Sequence, residues 1–289
     1  MPRTIMCRFS IILRVYNSLD LLAKTIKSLE VQTSRDFEVI FVNDCSNQLV
    51  TSFLEEKSFV LEKIGINSTI IGNKINYGSR GLYGSLMNIG IGQASGEYIM
   101  VLDSDDLLLS NAFETIIAFI ANNPTLDILC NNMQILDNAK LTNFMYSDIH
   151  PFHWYSYNKQ YLFIALLLQN FICHPGTIIK KKTLDLIGGY QSRFSCDHSL
   201  WLEMALQDRH FCFNMEPIGI YRFHSKGSST GLATKNNVYD EILDIQRQYL
   251  TFLPYYLEYS KITKEEMAYI YNNSSWKILK QQFQNQALQ

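Results

Sequence analysis

The chain has 289 residues, of which 25 are Lys or Arg and 27 are Asp or Glu, so its formal net charge is −2. This balance excludes the strongly basic surface that nucleic-acid-binding proteins present, and we expect no nucleic-acid partner. Hydrophobic residues make up 47% of the chain and charged residues 18%, which provides enough apolar material for a sizeable core and excludes wholesale disorder.

The cysteines and the apolar runs predict a cytoplasmic protein. The six cysteines form no CxxC pair and are spread over a long chain, which is typical of a reducing compartment rather than of a disulfide scaffold. The longest apolar run, near residues 162–168, is far shorter than the ~20 residues that a membrane span needs. The N-terminus has no long apolar stretch, so we expect no signal peptide.

The first 45 residues predict a strand, a helix and a second strand. Residues 9–13 and 37–42 are apolar runs of strand length, and the segment between them has apolar residues at helical spacing. This βαβ unit implies parallel pairing and a right-handed crossover. The first turn lacks a GxGxxG pattern, which argues against a nicotinamide dinucleotide enzyme.

A glycine-rich loop at residues 76–84 follows the third predicted strand, residues 68–71. Glycines let a backbone approach a ligand closely, and the loop carries Arg80, whose guanidinium suits a phosphate. A plain flexible loop is the alternative interpretation.

The strand at residues 98–102 runs directly into Asp103, Ser104, Asp105 and Asp106. Three neighbouring carboxylates repel one another unless a cation lies between them, and Mg²⁺ typically takes one or two carboxylates together with substrate phosphates. The cluster therefore predicts a metal site for a phosphorylated ligand, with a solvated turn as the alternative.

Polar residues follow three of the predicted strands, at residues 14–17, 43–46 and 103–106. In open α/β sheets the carboxyl ends of parallel strands meet at one edge, where ligands bind. This convergence favours the binding site over the solvated turn.

The second half is less regular. Residues 140–170 are rich in aromatic residues that we expect to fill core, and residues 211–223 predict a strand that ends before His224. Asp197 lies at the start of a predicted helix, where the helix dipole favours any acidic residue. From about residue 236 onward the chain is predicted to be helical.

Taken in order, these motifs resemble the family 2 glycosyltransferases, inverting enzymes of the GT-A fold. Residues 10–17 resemble the opening S-[IV]-[IV]-x-P-x-Y-N, and residues 43–46 resemble D-D-x-S. Residues 96–106 resemble G-[ED]-[YF]-[IVL]-x-x-[LF]-D-x-D-D. Further blocks of the resemblance, which covers roughly residues 8–230, are residues 32–38, 188–190, 197–202 and 221–224.

The resemblance implies a role for each matching residue. Asp197 would be the general base, and Asp105 and Asp103 would hold Mn²⁺ or Mg²⁺, with His224 approaching the metal or diphosphate. The nucleotide-sugar would be held by Tyr16, Asp44, Arg80, Asp103 and Ser104. Tyr16 as core, Asp44 as a turn residue and His224 as a surface histidine are the alternatives.

Three residues depart from the family pattern. Arg14 stands where the family has proline, and Asn43 replaces the first acid of D-D-x-S. Cys196 replaces the acid that commonly precedes the base.

The resemblance implies transfer of a hexose or N-acetylhexosamine from a nucleotide-diphosphate sugar, with a UDP-sugar expected, to a glycan or lipid-linked acceptor hydroxyl. It implies synthesis of bacterial surface polysaccharide or lipopolysaccharide, with peripheral association at the cytoplasmic face of the inner membrane. A metal-dependent nucleotidyltransferase and an inactive sugar-nucleotide-binding protein are the alternatives.

The expected fold is α/β, a GT-A-type, Rossmann-like, mostly parallel central sheet flanked by helices, with a helical C-terminal extension. We expect a glycosyltransferase domain over residues 1–230, with a nucleotide-sugar-binding half at 1–133 and an acceptor-binding half at 134–230. The extension covers residues 231–289.

Overall fold

The strand Phe9–Val15 (β1) is buried along its length except at Arg14, and the sheet is built outward from it. The computed structural model describes residues 8–137, 140–149, 161–223, 237–263 and 265–266. The other strands in these residues are β2 Phe37–Asn43, β3 Asn67–Gly72, β4 Tyr98–Asp103, β5 Leu107–Leu108, β6 Ile128–Asp137, β7 Lys140–Met145, β8 Ile178–Lys180 and β9 Phe211–Phe223.

These strands form one mixed sheet in the order β3-β2-β1-β4-β8-β6-β9-β5, with β7 paired to β6. Strands β3, β2, β1 and β4 are parallel, as the predicted βαβ unit requires, and β6 pairs parallel with β9. The sheet is mixed rather than purely parallel, because β8 pairs antiparallel with both β4 and β6, β5 with β9, and β7 with β6.

Helices cover both faces of the sheet. Strand side chains alternate between the faces, so Ile11 and Leu13 of β1 pack on one side and Ile12 on the other. The helices are α1 Leu19–Glu30, α2 Gln48–Lys63, α3 Tyr83–Ile91, α4 Ala112–Asn122, α5 Tyr146–Ile149, α6 Leu162–Leu168, α7 Lys181–Ile187, α8 Cys196–Leu206, α9 Asn237–Leu250 and α10 Leu253–Ser260.

Each face has its own set of helices, and this division places the site. The side chains of α1, α2 and α4 share a core with Ile11 and Leu13. Those of α3, α6, α8 and α9 share a core with Ile12. Arg14 lies two residues beyond Ile12 and therefore emerges on the second face, the one that α3 and α8 cover.

Helix α3 joins the first half of the chain to the segment before α8. The Asn88 side chain donates to the carbonyl oxygen of Tyr190 at 2.8 Å and accepts from its backbone N–H at 2.9 Å. The backbone N–H of Gly84 donates to the carbonyl oxygen of Arg193 at 3.2 Å. A Cβ atom at Gly84 would lie 1.7 Å from the carbonyl oxygen of Gln191, so only glycine permits this contact.

Helices α9 and α10 confirm the predicted helical C-terminal extension as far as the structure describes it. Helix α9 packs on α6 and α8, where the Gln246 side chain donates to the carbonyl oxygen of Leu167 at 2.8 Å. The Tyr249 hydroxyl, on a buried ring, donates to Glu203 Oε2 at 3.0 Å. No helix in the described parts of the chain combines the length and apolar character needed to cross a bilayer.

Candidate active site

Strands β1 and β4 bring Arg14 and Asp103 together. Their Cα atoms are direct partners in the parallel register, at the carboxyl ends of both strands. Arg14 Nε donates to Asp103 Oδ1 at 3.0 Å, and a second guanidinium nitrogen, Nη2, contacts the same oxygen. The Arg14 guanidinium also lies over the ring of Tyr83, 4.8 Å from its centroid.

Each partner of this ion pair stabilises the charge of the other. Burial by itself would raise the pKa of the Asp103 carboxyl, but the charges of Arg14 and His174 lower that pKa below its ordinary value. Burial would likewise lower the pKa of Arg14, and the Asp103 carboxylate raises it instead. Asp103 is therefore ionised at neutral pH.

The three acidic residues that follow β4 form one cluster. Asp103, Asp105 and Asp106 can each offer an oxygen such that the three atoms lie within 4.8 Å of one another. Asp106 is buried, and its Oδ1 accepts the backbone N–H of Arg222 at 2.8 Å. Burial and the charges of Asp105 and Asp103 raise its pKa well above the ordinary value. Asp103 and Asp105 are thus the members suited to bind a cation.

The role of Asp106 leads to a stability prediction. Asp106→Asn should change the free energy of unfolding by less than ~1 kcal/mol, because the amide oxygen can still accept the Arg222 N–H. Asp106→Ala should lower it by about 1–3 kcal/mol, because that N–H is left without its acceptor. Urea unfolding of both variants in EDTA measures the difference, and an equal loss in both would contradict a purely hydrogen-bonding role.

Asp197 is the second residue of α8, whose first turn enters the same region from the second half of the chain. The Asn170 side chain donates to Asp197 Oδ2 at 2.8 Å and fixes the carboxylate's orientation. Its neighbour Cys196 is buried, and burial together with the Asp197 charge raises the pKa of the thiol. Because Cys196 is uncharged at neutral pH, Asp197 is the acidic group of this turn.

The two carboxylates lie in the wall of one cavity of about 340 Å³. Asp103 and Asp197 both line it, although they come from different halves of the chain. Its other lining residues come from β1, α3, α5, the segment before β8, α8, β9 and α9. These lining residues include Arg14, Tyr83, Met87, Tyr146, Asn170, His174, Phe194, Cys196, His198, Tyr221 and Ile242.

His174 lines the same cavity as Arg14, Asp103 and Asp197, and the sequence analysis assigns it no role. Its Nε2 is 3.0 Å from the hydroxyl oxygen of Tyr190. Burial lowers its pKa, although the charges of Asp197 and Asp103 act in the opposite direction. The available signal was a polar residue at the bend before β8, where Gly176 adopts a φ of +79°. The sequence identifies Arg14 as a departure from the family proline that touches the nucleotide pocket, but does not predict its pairing with Asp103.

The other residues that are predicted to bind the nucleotide-sugar do not line this cavity. Tyr16 follows β1 with 51% of its surface exposed, and Arg80 is exposed in a 3₁₀ turn, Gly78–Arg80. The buried Asp44 accepts the backbone N–H groups of Tyr77 and Gly78, each at 2.8 Å.

Asp44 therefore anchors the glycine-rich loop, as a turn residue would, and this leaves its expected role toward the nucleotide a prediction. The backbone of Ser104 is also held in place, because its carbonyl oxygen accepts a hydrogen bond from the Thr25 hydroxyl at 3.0 Å. His224 lies outside the described residues.

Comparison with known families decides the class of protein. The profile described as Glycosyl transferase family 2 matches residues 10–187, more than half of the chain. The chain belongs to glycosyl transferase family 2. This confirms the predicted family and the enzyme class, and the match includes Arg14 and the Asp103–Asp106 cluster while ending before Asp197.

Two sequence relatives show how far the likeness of this family 2 glycosyltransferase extends. An uncharacterised glycosyltransferase of Haemophilus influenzae is 24% identical over 249 residues, which cover 84% of this chain and 73% of the relative. A poly(ribitol-phosphate) beta-glucosyltransferase of Bacillus spizizenii is 30% identical over 146 residues, which cover 50% of this chain and 22% of the relative.

Solved structures confirm the GT-A-type α/β fold. TarS 1–349 from S. aureus in complex with UDP-GlcNAc matches with a TM-score of 0.65 at 18% identity, covering 93% of this glycosyltransferase and 74% of that chain. The chain spans 60–65% of two other TarS 1–349 structures. A mannosyltransferase from Pyrobaculum calidifontis, in complex with GDP-Man and Mn²⁺, matches with a TM-score of 0.57 at 14% identity, covering 99% and 82%.

Proposed function

We propose that this family 2 glycosyltransferase is an inverting enzyme that moves a sugar from a nucleotide-diphosphate sugar to an acceptor hydroxyl. The observation that carries the proposal is the single cavity lined by both Asp103 and Asp197. One carboxylate lies at the carboxyl end of β4, where open α/β sheets bind their ligands. The other lies at the start of α8, on a helix that the family profile does not include.

Asp197 is the proposed general base. The acceptor hydroxyl oxygen attacks C1 of the sugar, Asp197 takes the hydroxyl proton, and the bond from C1 to the diphosphate oxygen breaks with its electrons on the nucleoside diphosphate. Attack in line with the leaving group inverts C1, so an α-linked donor gives a β-linked product. A positioned base typically contributes ~10²–10⁴-fold to such a step, and Asn170 holds this one in place.

Asp105 and Asp103 are the proposed ligands of Mn²⁺ or Mg²⁺. Clustered carboxylate oxygens are the hard donors that these ions prefer, and three side chains here can bring oxygens within 4.8 Å of one another. The ion would neutralise the negative charge that develops on the departing diphosphate. The mannosyltransferase neighbour, whose structure contains Mn²⁺, supports this assignment. His224 is proposed to approach the metal from the segment after β9.

A UDP-sugar carrying a hexose or N-acetylhexosamine is the proposed donor. TarS structures with UDP and with UDP-GlcNAc support it, whereas the mannosyltransferase contains GDP-Man. The proposed nucleotide-sugar contacts lie at the carboxyl ends of β1, β2 and β4 and in the loop that Asp44 anchors. They are Tyr16, Asp44, Arg80, Asp103 and Ser104.

The proposed acceptor is a glycan or lipid-linked hydroxyl in the synthesis of bacterial surface polysaccharide or lipopolysaccharide. Relatives named as poly(ribitol-phosphate) glycosyltransferases support a polymeric acceptor. We place the enzyme in the cytoplasm, with peripheral association at the inner face of the membrane where such acceptors are built.

A donor screen tests the proposed function. Thermal unfolding is measured with UDP-, GDP- and dTDP-sugars, each with Mn²⁺, and the stabilised donors are then assayed for nucleotide release. A ligand at 100 times its Kd stabilises the folded state by about 2.7 kcal/mol, so the correct donor should stand out. Absence of stabilisation by every nucleotide-sugar would overturn the proposal, and stabilisation without release in the presence of glycan acceptors would favour the inactive binding protein.

A further inference from the structure

Arg14 is a cation built into the proposed donor site. Among the described residues that line the cavity, it is the only Lys or Arg. Two of its guanidinium nitrogens contact a single oxygen of Asp103, and the ring of Tyr83 lies against its face. The β1–β4 register puts the two residues side by side, so this pairing follows directly from the fold.

This ion pair and a metal ion need the same carboxylate. An oxygen of Asp103 that accepts two guanidinium N–H groups has lost much of its capacity to bind Mn²⁺ or Mg²⁺. A divalent ion bound to Asp103 would also lie near the Arg14 guanidinium. The positive charges of the ion and the guanidinium would repel each other more strongly in this partly buried site than in water. With Oδ1 held by the guanidinium, Asp103 could offer a metal only Oδ2, beside the positive charge of Arg14, so the ion pair weakens metal binding at this carboxylate.

The donor supplies an alternative partner for Arg14. A guanidinium presents its N–H groups in a fork that matches phosphate oxygens, and charge-assisted pairs of this kind are among the strongest hydrogen bonds in proteins. Arg14 lines the same cavity as Asp103 and Asp197, so a diphosphate bound beside Asp103 would lie within reach of its flexible side chain.

We infer that Arg14 competes with the divalent metal for Asp103 and transfers to the diphosphate when the donor binds. The inference rests on the proposed function, because it requires a nucleoside diphosphate in this cavity. Metal and donor then bind cooperatively, since the diphosphate removes the competitor of the metal. By linkage, the metal must raise the affinity for the diphosphate by the same factor.

Mn²⁺ binding tests the exchange without reference to turnover. Free Mn²⁺ is measured by electron paramagnetic resonance for the wild type and Arg14→Met, with and without UDP. We expect Arg14→Met to bind Mn²⁺ alone more tightly than the wild type by a typical coupling factor, about 5- to 150-fold. In this variant UDP should increase the Mn²⁺ affinity less than in the wild type, and UDP itself should bind more weakly.

A double-mutant cycle and a control variant test whether the effect of Arg14 on Mn²⁺ binding depends on Asp103. In an Asp103→Asn background, Arg14→Met should gain much less Mn²⁺ affinity, because the shared ligand is gone, and the double-mutant cycle measures the difference. Arg247→Met removes an exposed arginine that pairs with Asp244 on α9 and should leave Mn²⁺ binding unchanged. If Arg14→Met does not fold, Arg14→Gln carries the same test, because it removes the positive charge and the double guanidinium contact, while its amide can still donate one hydrogen bond to Asp103 and so support the fold.

The outcomes separate this inference from the proposed function. If the wild type binds UDP in the presence of Mn²⁺ but Arg14→Met shows equal or weaker Mn²⁺ affinity, the exchange is wrong and the proposed function stands. Equal gains with and without the Asp103 carboxylate would also overturn it. If the wild type binds neither UDP nor any nucleotide-sugar with Mn²⁺, the proposed function itself fails.

Discussion

Asp197→Asn is expected to lower the turnover number for sugar transfer by about 10²- to 10⁴-fold, the usual contribution of a general base. Asparagine has nearly the same shape, and its side-chain oxygen can still accept from Asn170, which donates to Asp197 at 2.8 Å. What it loses is the ability to take the proton of the acceptor hydroxyl. Donor affinity should therefore stay close to that of the wild type.

The measurement combines steady-state transfer with donor binding by titration calorimetry. Asp185→Asn is the matched control, because Asp185 is an exposed acid on α7 that pairs with Lys181. This control should keep both turnover and donor affinity. Near-wild-type turnover in Asp197→Asn would show that another group is the base, whereas a parallel loss of donor affinity would indicate a structural role.

Asp105→Ala is expected to reduce turnover to a similar extent, by about 10²- to 10⁴-fold, because it removes the proposed main metal ligand. Neutralising the charge on the departing diphosphate is worth several kcal/mol, and each 1.4 kcal/mol of barrier is about tenfold in rate. Excess EDTA should have the same effect on the wild type, and added Mn²⁺ should restore it.

Metal titrations of the wild type and Asp105→Ala check this prediction. The variant should need far more Mn²⁺ for half-maximal turnover, or remain inactive at every concentration tested. Asp244→Ala removes an exposed carboxylate on α9 and should behave as the wild type. Full activity of the wild type in excess EDTA would contradict the metal assignment for both Asp105 and Asp103.

The first half of the fold was predictable from local pattern. Strands β1, β2 and β4 are buried on both faces and appear in the sequence as continuous apolar runs, and the helix between β1 and β2 imposes their parallel pairing. The polar residues after each run consequently meet at one edge. No local pattern indicates that β8, which has only three residues, inserts between β4 and β6 in the antiparallel direction.

The same contrast applies to the site. Asp103 and Asp197 were predicted from ordered motifs, and the structure brings both to one cavity. The ion pair of Arg14 depends on the alignment of β1 with β4, which no local pattern specifies. The position of His174 depends on a bend and on the distant hydroxyl of Tyr190. Long-range contacts of this kind follow from tertiary packing and have no periodicity in the sequence.

The contact between α3 and residues 190–193 limits how the cavity of this enzyme can open. Asn88 holds Tyr190 by two hydrogen bonds, and the missing side chain of Gly84 lets the backbone of residues 191–193 rest directly on the helix. These contacts join the first half of the chain, which carries Asp103, to the segment that leads to Asp197. A hinge motion that separated the two parts would break the hydrogen bonds of Asn88 and the backbone contact at Gly84. Under the proposed function, we expect the nucleoside diphosphate to leave through rearrangement of loops at the rim of the cavity rather than through separation of its walls.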